Sequence, residues 1–340
     1  MSVRTSFYEA GKMCGAFQLA QWITRGQLRI LCYHGFSFTD EHLFRPGLFH
    51  EPAILESRLS FLASNGYVGL SLDEAVARLE SGTLGRKDLV ITIDDGFYGV
   101  LGLAAPIFDR YGFKPTIYMT TYYMQHQNPI FRLAIQYMFW KTTAATLDLR
   151  DVAPLQSFPC ATKGAAADGP MWELIDHGET ELDETARVQF AIAVGKRLGV
   201  DYAELASSRR LSIMNESEVR DLARRGYDIQ LHTHRHRMPN DLELVRREIV
   251  DNRRALEGLS ERPVTHLCYP SGVWSPDRFP ALAAEAMRTA TTCEPGLNRT
   301  DTPRYALHRF LDSQSTPQIV FEAEVAGIST LVRRAAGRAG

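Results

Sequence analysis

The chain has 340 residues, 38 Lys and Arg against 40 Asp and Glu, and 45% hydrophobic residues. A net charge of −2 speaks against a nucleic-acid binder or an acidic solvating chain, and the hydrophobic share excludes disorder for the bulk of the sequence. The length allows two domains or one large domain with an elaboration, and no stretch approaches the roughly 18 apolar residues that span a bilayer.

In chain order, residues 1–27 come first. Phe7, Ala10, Cys14, Phe17 and Trp22 fall roughly on one helical face, flanked by Arg4, Lys12 and Arg25. This segment reads either as an interfacial helix on anionic lipid or as a helix closing the bottom of the fold. Glu9 and Lys12 interrupt it where a signal peptide needs an unbroken apolar core. Asp73–Leu79 reads as a short helix capped by Ser71 with Glu74 three residues on. Leu89–Ile93 is a continuous β-branched apolar run, the pattern of a strand buried on both faces. A helix is expected at 99–110, a strand at Thr116–Met119, a helix at Asn215–Arg225 and a strand at Tyr227–Leu231. Leu242, Val245, Ile249 and Leu256 mark one face of a helix over 241–259. Thr265–Tyr269, Thr289–Cys293 and Tyr305–Leu307 complete the strands. This alternation predicts a parallel sheet with helices outside, and about seven repeats favour a closed barrel, whose chemistry sits at the C-terminal ends of the strands.

Thr121–Ile213 departs from the pattern. It holds Pro129, Pro154, Pro159 and Pro170 and the small-residue run Ala161–Gly169. We read it as an insertion, helical at 130–142 and 181–198 and otherwise loop. Its aromatic residues Tyr122, Tyr123, Phe131, Tyr137, Phe139 and Trp140 read as core or as one wall of a groove. The organisation expected is an N-terminal segment 1–27, a barrel 28–328 and a basic C-terminal tail 329–340 with Arg333, Arg334 and Arg338.

Three motifs carry chemistry. Thr92-Ile93-Asp94-Asp95-Gly96 ends a buried strand in two adjacent carboxylates. Two neighbouring carboxylates repel, so holding both ionised needs a positive partner; a helix cap is the plainer reading. His232-Thr233-His234-Arg235-His236 ends another strand and packs three histidines into five residues, where the chain has 10 in all. His232 and His236 can converge on one ion if the chain turns between them, and with the Asp pair they suit a two-His, one-carboxylate divalent metal site. Cys268-Tyr269-Pro270-Ser271-Gly272 makes a tight turn after a strand, which aims N–H groups suited to an oxyanion. The five cysteines show no CxxC, which argues against a disulfide framework and fits a reducing compartment. The sequence thus reads as cytosolic, or peripheral on the cytosolic membrane face.

In this order the three motifs resemble the polysaccharide deacetylase family, also called the NodB-homology or carbohydrate esterase 4 family. TIDDG stands for its T-F-D-D-G, HTHRH for its H-[ST]-x-x-H, and Tyr269-Pro270-Ser271-Gly272 for its YP-type third motif. Leu31-Cys32-Tyr33-His34 and Ala105–Gly112 also resemble it, so the likeness runs over 30–311 apart from the insertion. It implies a distorted (β/α)7 barrel and a divalent metal, usually zinc, held by Asp95, His232 and His236. It implies Asp94 as the general base, with the Ser271 N–H facing the oxyanion. The chemistry implied is removal of an N-acetyl group from a sugar of a glycan or a lipid-linked glycan intermediate. Tyr269, Pro270 and Asn298 are expected to line the sugar pocket. Three departures are visible, one of them a conservative core change, Ile93 for the family's Phe. Cys268 holds the place where many members carry an Arg that orients the base, a charge Arg309 can supply. His308 is displaced by one from the family's acid, which on a strand reverses its facing; His34 and His266 are the alternatives. His234 is expected to face away. Another amide substrate, or a silent glycan-binding barrel, are the competing readings.

Overall fold

The structure, a computed structural model, describes residues 3–153 and 155–337. Seven parallel strands form the barrel: β1 (Arg29–Tyr33), β2 (Asp88–Ile93), β3 (Thr116–Met119), β4 (Asp228–Leu231), β5 (His266–Cys268), β6 (Thr289–Thr291) and β7 (Phe310–Leu311). They are ordered β6-β5-β4-β3-β2-β1-β7, and a two-residue strand, Val68–Gly69, adds to the start of β2. Every residue of β1 and β2 is buried, as a parallel strand covered by helices on its outer face requires. The seam is short: Leu307 bridges Thr291, and Phe310 pairs with Leu31. The strand expected at Tyr305–Leu307 is therefore a single bridge, and β7 forms beyond Arg309. The result is a distorted barrel of the expected class.

Most helices fall where their patterns place them. Leu72–Glu80 is capped by the Ser71 hydroxyl, which accepts from the Glu74 N–H, and Leu242–Leu256 by Asp241, which accepts from Leu244. The helix over 99–110 opens with a wide turn, Val100–Ala104, before Ala105–Tyr111.

The termini differ from expectation. Gly15, at φ +77°, splits the first segment into the helices Val3–Met13 and Ala16–Ile23. One face cannot continue across that break. Phe17 turns inward with Tyr8 and Ala20 onto Val320, Ala323, Ala326 and Ile328, while Phe7, Ala10, Cys14 and Trp22 stay exposed. Residues 329–335 belong to the helix Ile328–Ala335 instead of forming a separate tail, and Arg333 pairs with Glu324 at 2.9 Å. Arg338 and Pro154 lie outside the described residues. Arg29 donates to the Val325 carbonyl at 2.8 Å, which ties this helical layer to the N-terminal end of β1.

The chain divides into two compact units, one of residues up to Tyr122 and from Glu216 onward, the other Tyr123–Asn215. The second unit is built on Phe131–Lys141, Asp168–Thr180 and Glu184–Leu198. Phe131, Tyr137 and Phe139 are buried in it, and Gly178 lets the Phe131 ring approach so closely that a Cβ there would lie 2.2 Å away. The helix Asp168–Thr180 occupies sequence that reads as loop. Pro170 is tolerated because first-turn N–H groups have no partner within a helix.

Candidate metal and acid–base site

Two strand ends supply the centre. β2 runs apolar to Ile93 and then delivers Asp94 and Asp95, both buried. The Asp94 N–H continues the ladder to the Tyr33 carbonyl at 2.9 Å. Asp95 then takes the left-handed conformation, φ +68°, and Gly96 follows at φ +84°. A Cβ on Gly96 would meet the Met119 sulfur at 2.1 Å, so only glycine lets the chain turn here. The turn separates the two carboxylates, and each acquires its own partners.

β4 ends at Leu231 and hands on His232. Its backbone N–H donates to the Asn252 Oδ1 at 2.9 Å, and its Nδ1 faces the Cys268 carbonyl at 2.9 Å. That contact suits Nδ1–H and leaves Nε2 with a free lone pair, the tautomer a metal ligand needs. Thr233 and His236 are both left-handed, at φ +61° and +53°, and so the loop folds back on itself. The His232 and His236 Nε2 atoms each lie 3.2 Å from Asp95 Oδ1. Ligand atoms of Asp95, His232 and His236 all fall within 4.8 Å of one another. Two imidazoles and one carboxylate converging on a point is a donor set that fits a divalent transition metal. His234 turns away, with Nδ1 on the Thr121 hydroxyl at 2.8 Å and its ring against Tyr122.

Asp94 is held differently. Arg309, fully buried, reaches it with two parallel hydrogen bonds, Nη1 to Oδ1 at 2.7 Å and Nη2 to Oδ2 at 2.8 Å. Burial pushes the carboxyl pKa up, but the guanidinium outweighs it and holds Asp94 well below the usual carboxylate range. Cys268 also donates its thiol to Oδ2 at 3.2 Å. Burial raises that thiol's pKa well above normal, which keeps its proton in place. The cysteine in the third motif thus contacts Asp94 directly, while the positive charge comes from Arg309, just before the last strand. His34, next after β1, completes the group: its Nε2 is 3.7 Å from Asp94 Oδ2, and burial lowers its pKa.

Four expected site residues lie elsewhere. Tyr269 is fully buried and spends its hydroxyl on the Tyr305 carbonyl at 2.9 Å, and Pro270 is buried beside it. Both are packed into the turn. Asn298 is fully buried and pairs backbone to backbone with Leu28, just before β1. Its side chain donates to the His308 carbonyl at 2.9 Å and accepts from the His308 N–H at 2.7 Å. That clamp holds His308 at the N-terminal end of β1, whereas the cluster forms at strand C-terminal ends. The His308 ring faces Glu294 at 3.8 Å. Of the alternatives, His266 begins β5 and is bound to Thr289 and Asp73, which leaves His34 as the histidine beside the base. Ser271 is exposed at φ +56° on the third-motif turn.

Sequence reading missed Asn252, which receives the His232 N–H and donates to the Met119 carbonyl and the Thr121 hydroxyl. A signal existed: Asn252 falls on the apolar stripe with Val245, Ile249 and Leu256, where a polar side chain needs a partner.

Residues 189–290 match the family model described as polysaccharide deacetylase. The match contains His232, His236 and the third motif and stops short of Asp94. A Bacillus subtilis protein named "Putative polysaccharide deacetylase YxkH" is 26% identical over 98 residues, 28% of this chain and 35% of that relative's length. Among solved structures, the Streptococcus pyogenes deacetylase PplD in complex with acetate aligns with a TM-score of 0.58 at 15% identity, covering 90% of this chain and 99% of its own. A de-N-acetylase from Aggregatibacter actinomycetemcomitans aligns at 0.55 and 12%, covering 88% and 99%. IcaB from Ammonifex degensii aligns at 0.53 and 14%, covering 88% and 97%. At these identities the structural likeness speaks for the fold.

Proposed function

We propose that the chain is a polysaccharide deacetylase, a metal-dependent hydrolase removing the N-acetyl group of an N-acetylated sugar, a reading supported by the family match over residues 189–290. One observation carries the reading: Asp95, His232 and His236 converge while the adjacent Asp94 is set apart and paired to Arg309. The three converging residues would hold a divalent cation, and their donor set suits zinc. When bound, such an ion supplies Lewis-acid polarisation of the amide carbonyl and a nucleophilic water near neutral pH.

The chain's own residues do the rest. Asp94, kept ionised by Arg309, accepts the proton of the attacking water at a carboxylate oxygen. Arg309 fixes the plane of that carboxylate with its two-pronged contact. The Ser271 N–H, presented by the left-handed turn, donates to the oxygen on which charge develops. His34 Nε2, beside Asp94, gives a proton to the departing amine. The products are acetate and a free amino sugar.

The proposal extends to a membrane-borne glycan intermediate as substrate. Phe7, Met13, Leu19, Trp22 and Ile23 leave five large apolar side chains exposed on the first two helices, and Arg25 stacks on Trp22. This mixture suits the acyl–headgroup boundary. Among the described residues no helix is long and apolar enough to cross a membrane. Co-sedimentation with anionic vesicles tests the contact: equal pelleting with and without vesicles overturns it.

The test of the activity is acetate release, after reconstitution with zinc, across a panel of N-acetylhexosamines that includes lipid-linked ones. A preparation that acquires no divalent ion would favour a silent glycan-binding barrel. Zinc binding with release of formate, and no acetate, would favour a formamido sugar.

A further inference from the structure

The helix Leu242–Leu256 turns a mixed stripe inward. Val245, Ile249 and Leu256 are apolar, yet Glu248 and Asn252, about one helical turn apart on the same stripe, are buried with them. Polar side chains in such a place need partners. Both find them on one loop, the loop that carries His232 and His236.

Three N–H groups of that loop end on this helix. His232 donates to the Asn252 Oδ1 at 2.9 Å, His234 to the Glu248 main-chain carbonyl at 3.2 Å, and Arg235 to the Glu248 Oε2 at 2.8 Å. The other Glu248 oxygen accepts from the Arg235 guanidinium at 2.9 Å, so the buried carboxylate keeps a counter-charge. The Asn252 amide turns the opposite way and donates to the Met119 carbonyl at 3.0 Å and the Thr121 hydroxyl at 2.9 Å, at the end of β3. That strand end grips the loop again. The N–H groups of Thr121 and Tyr122 and the Thr120 hydroxyl donate to the His234 carbonyl, at 3.3, 2.8 and 3.1 Å. The Thr120 N–H donates to the Asp95 carbonyl at 3.3 Å. One network thus reaches Asp95 and His232 directly, and His236 through its neighbours His234 and Arg235.

The loop needs this support. Thr233, which is β-branched, and His236 both stand in the left-handed region, at φ +61° and +53°. Side chains of this kind are disfavoured there, and such residues persist only where surrounding contacts over-determine them. The contacts to Asn252, Glu248 and the end of β3 fall at His232, His234 and Arg235, between and beside the two left-handed residues.

We propose that Asn252 and Glu248 are positioning residues that hold the His232–His236 loop ready for a divalent ion before the ion arrives. Neither belongs to the converging donor set; both act through the loop backbone. Ordering the ligands in advance removes part of the conformational cost of binding and so raises affinity. The inference rests on the metal-site part of the deacetylase reading and deepens it.

The experiment measures zinc affinity of the full chain by competition with a chromophoric chelator, which needs no turnover. Wild type, Asn252→Ala, Glu248→Ala, Glu248→Gln and Leu256→Ala are compared, and urea unfolding of each without zinc gives its stability. Asn252→Ala and Glu248→Ala are expected to weaken zinc binding about 10- to 100-fold. Glu248→Gln keeps an acceptor for the Arg235 N–H and is expected to recover most of that loss. Leu256→Ala opens a cavity on the same stripe and removes no loop contact, so it is expected to lose stability at unchanged zinc affinity. Undiminished zinc affinity in Asn252→Ala and Glu248→Ala overturns the proposal. So does a loss in Leu256→Ala as large as theirs, because it would trace to stability alone. Acetate release by wild type is measured separately across N-acetylhexosamines. Weaker zinc binding in the two alanine variants, with no acetate released from any sugar, supports the positioning role and sinks the deacetylase reading. Acetate release with zinc affinity unchanged in those variants does the reverse. A wild-type chain that binds no zinc overturns both.

Discussion

Arg309 and Asp94 meet across the barrel interior in a fully buried two-pronged ion pair, Nη1–Oδ1 at 2.7 Å and Nη2–Oδ2 at 2.8 Å. They are 215 residues apart in sequence. The guanidinium is itself anchored, Nε to the Thr292 carbonyl at 2.8 Å and Nη1 to the Thr92 hydroxyl at 3.1 Å. Charge and orientation of the base therefore come from one side chain.

Arg309→Lys keeps the charge and loses the fork. Its kcat/KM is expected to fall about 10- to 100-fold with zinc content unchanged. Arg309→Gln removes the charge as well. Burial is then opposed only by His34 and His232, and the Asp94 pKa rises, so the carboxylate protonates at higher pH and the acidic limb of the pH–rate profile moves upward. The same variant leaves a buried carboxylate unpaired, a loss of about 3–5 kcal/mol that urea unfolding would show. An unmoved acidic limb would remove Arg309 from its role.

His34 is the acid in this scheme because His308 and His266 are engaged elsewhere. His34→Gln is expected to lower kcat about 100-fold or more while zinc stays bound. An acid must carry its proton, and burial lowers the His34 pKa. The alkaline limb of the wild-type profile is thus expected below the ordinary imidazole range, and it should vanish in the variant. Full activity in His34→Gln would return the acid to an unassigned group.

His50 offers a pH test that does not depend on catalysis. It is fully buried, its ring sits 5.3 Å from Tyr33 and 6.1 Å from Phe36, and neither ring nitrogen has a hydrogen-bond partner. Burial lowers its pKa to about 3. The unfolded chain takes up the proton at about 6.5 and the folded chain does not, so this part of the stability is present above that pH and is lost as pH falls toward 3. The loss approaches about 1.4 kcal/mol for each pH unit crossed. His50→Phe fills the site without a titratable group. Urea unfolding at pH 7, 5 and 4 is expected to show a shallower decline in the variant, and identical slopes would count against the assignment.

Asn298 separates a barrel clamp from a sugar ligand. Asn298→Ala strips the partners from the His308 N–H and carbonyl, and a loss of about 1–3 kcal/mol is expected. A clamp leaves KM for the sugar where it was. A raised KM at full stability would restore the pocket role.

The sequence makes the centre itself legible because its signals are local. A buried strand cannot carry Asp94 and Asp95 in its interior, so its end had to present them, and His232 and His236 follow another strand by the same logic. Register across the barrel is not local. Where the seam falls, after Arg309 and not over Tyr305–Leu307, depends on the pairing of Leu307 with Thr291 and Phe310 with Leu31. The places of Tyr269, Asn298 and His308 escape the sequence for the same reason: motif spacing names the turn but not which side chains are buried around it. The break at Gly15 is a single left-handed residue, and helical periodicity runs through it unnoticed.

The ion pair at the seam also has a bearing on biosynthesis. On the ribosome, the carboxylates at Asp94 and Asp95 emerge early, and both histidines follow well before the end. Arg309 comes last of these residues. Until it docks, the barrel has no seventh strand and the base has no counter-charge. On the proposed mechanism the nascent chain is inert toward amides until then, and so is any product truncated before that strand. On that mechanism, hydrolytic competence comes at the moment the cylinder shuts.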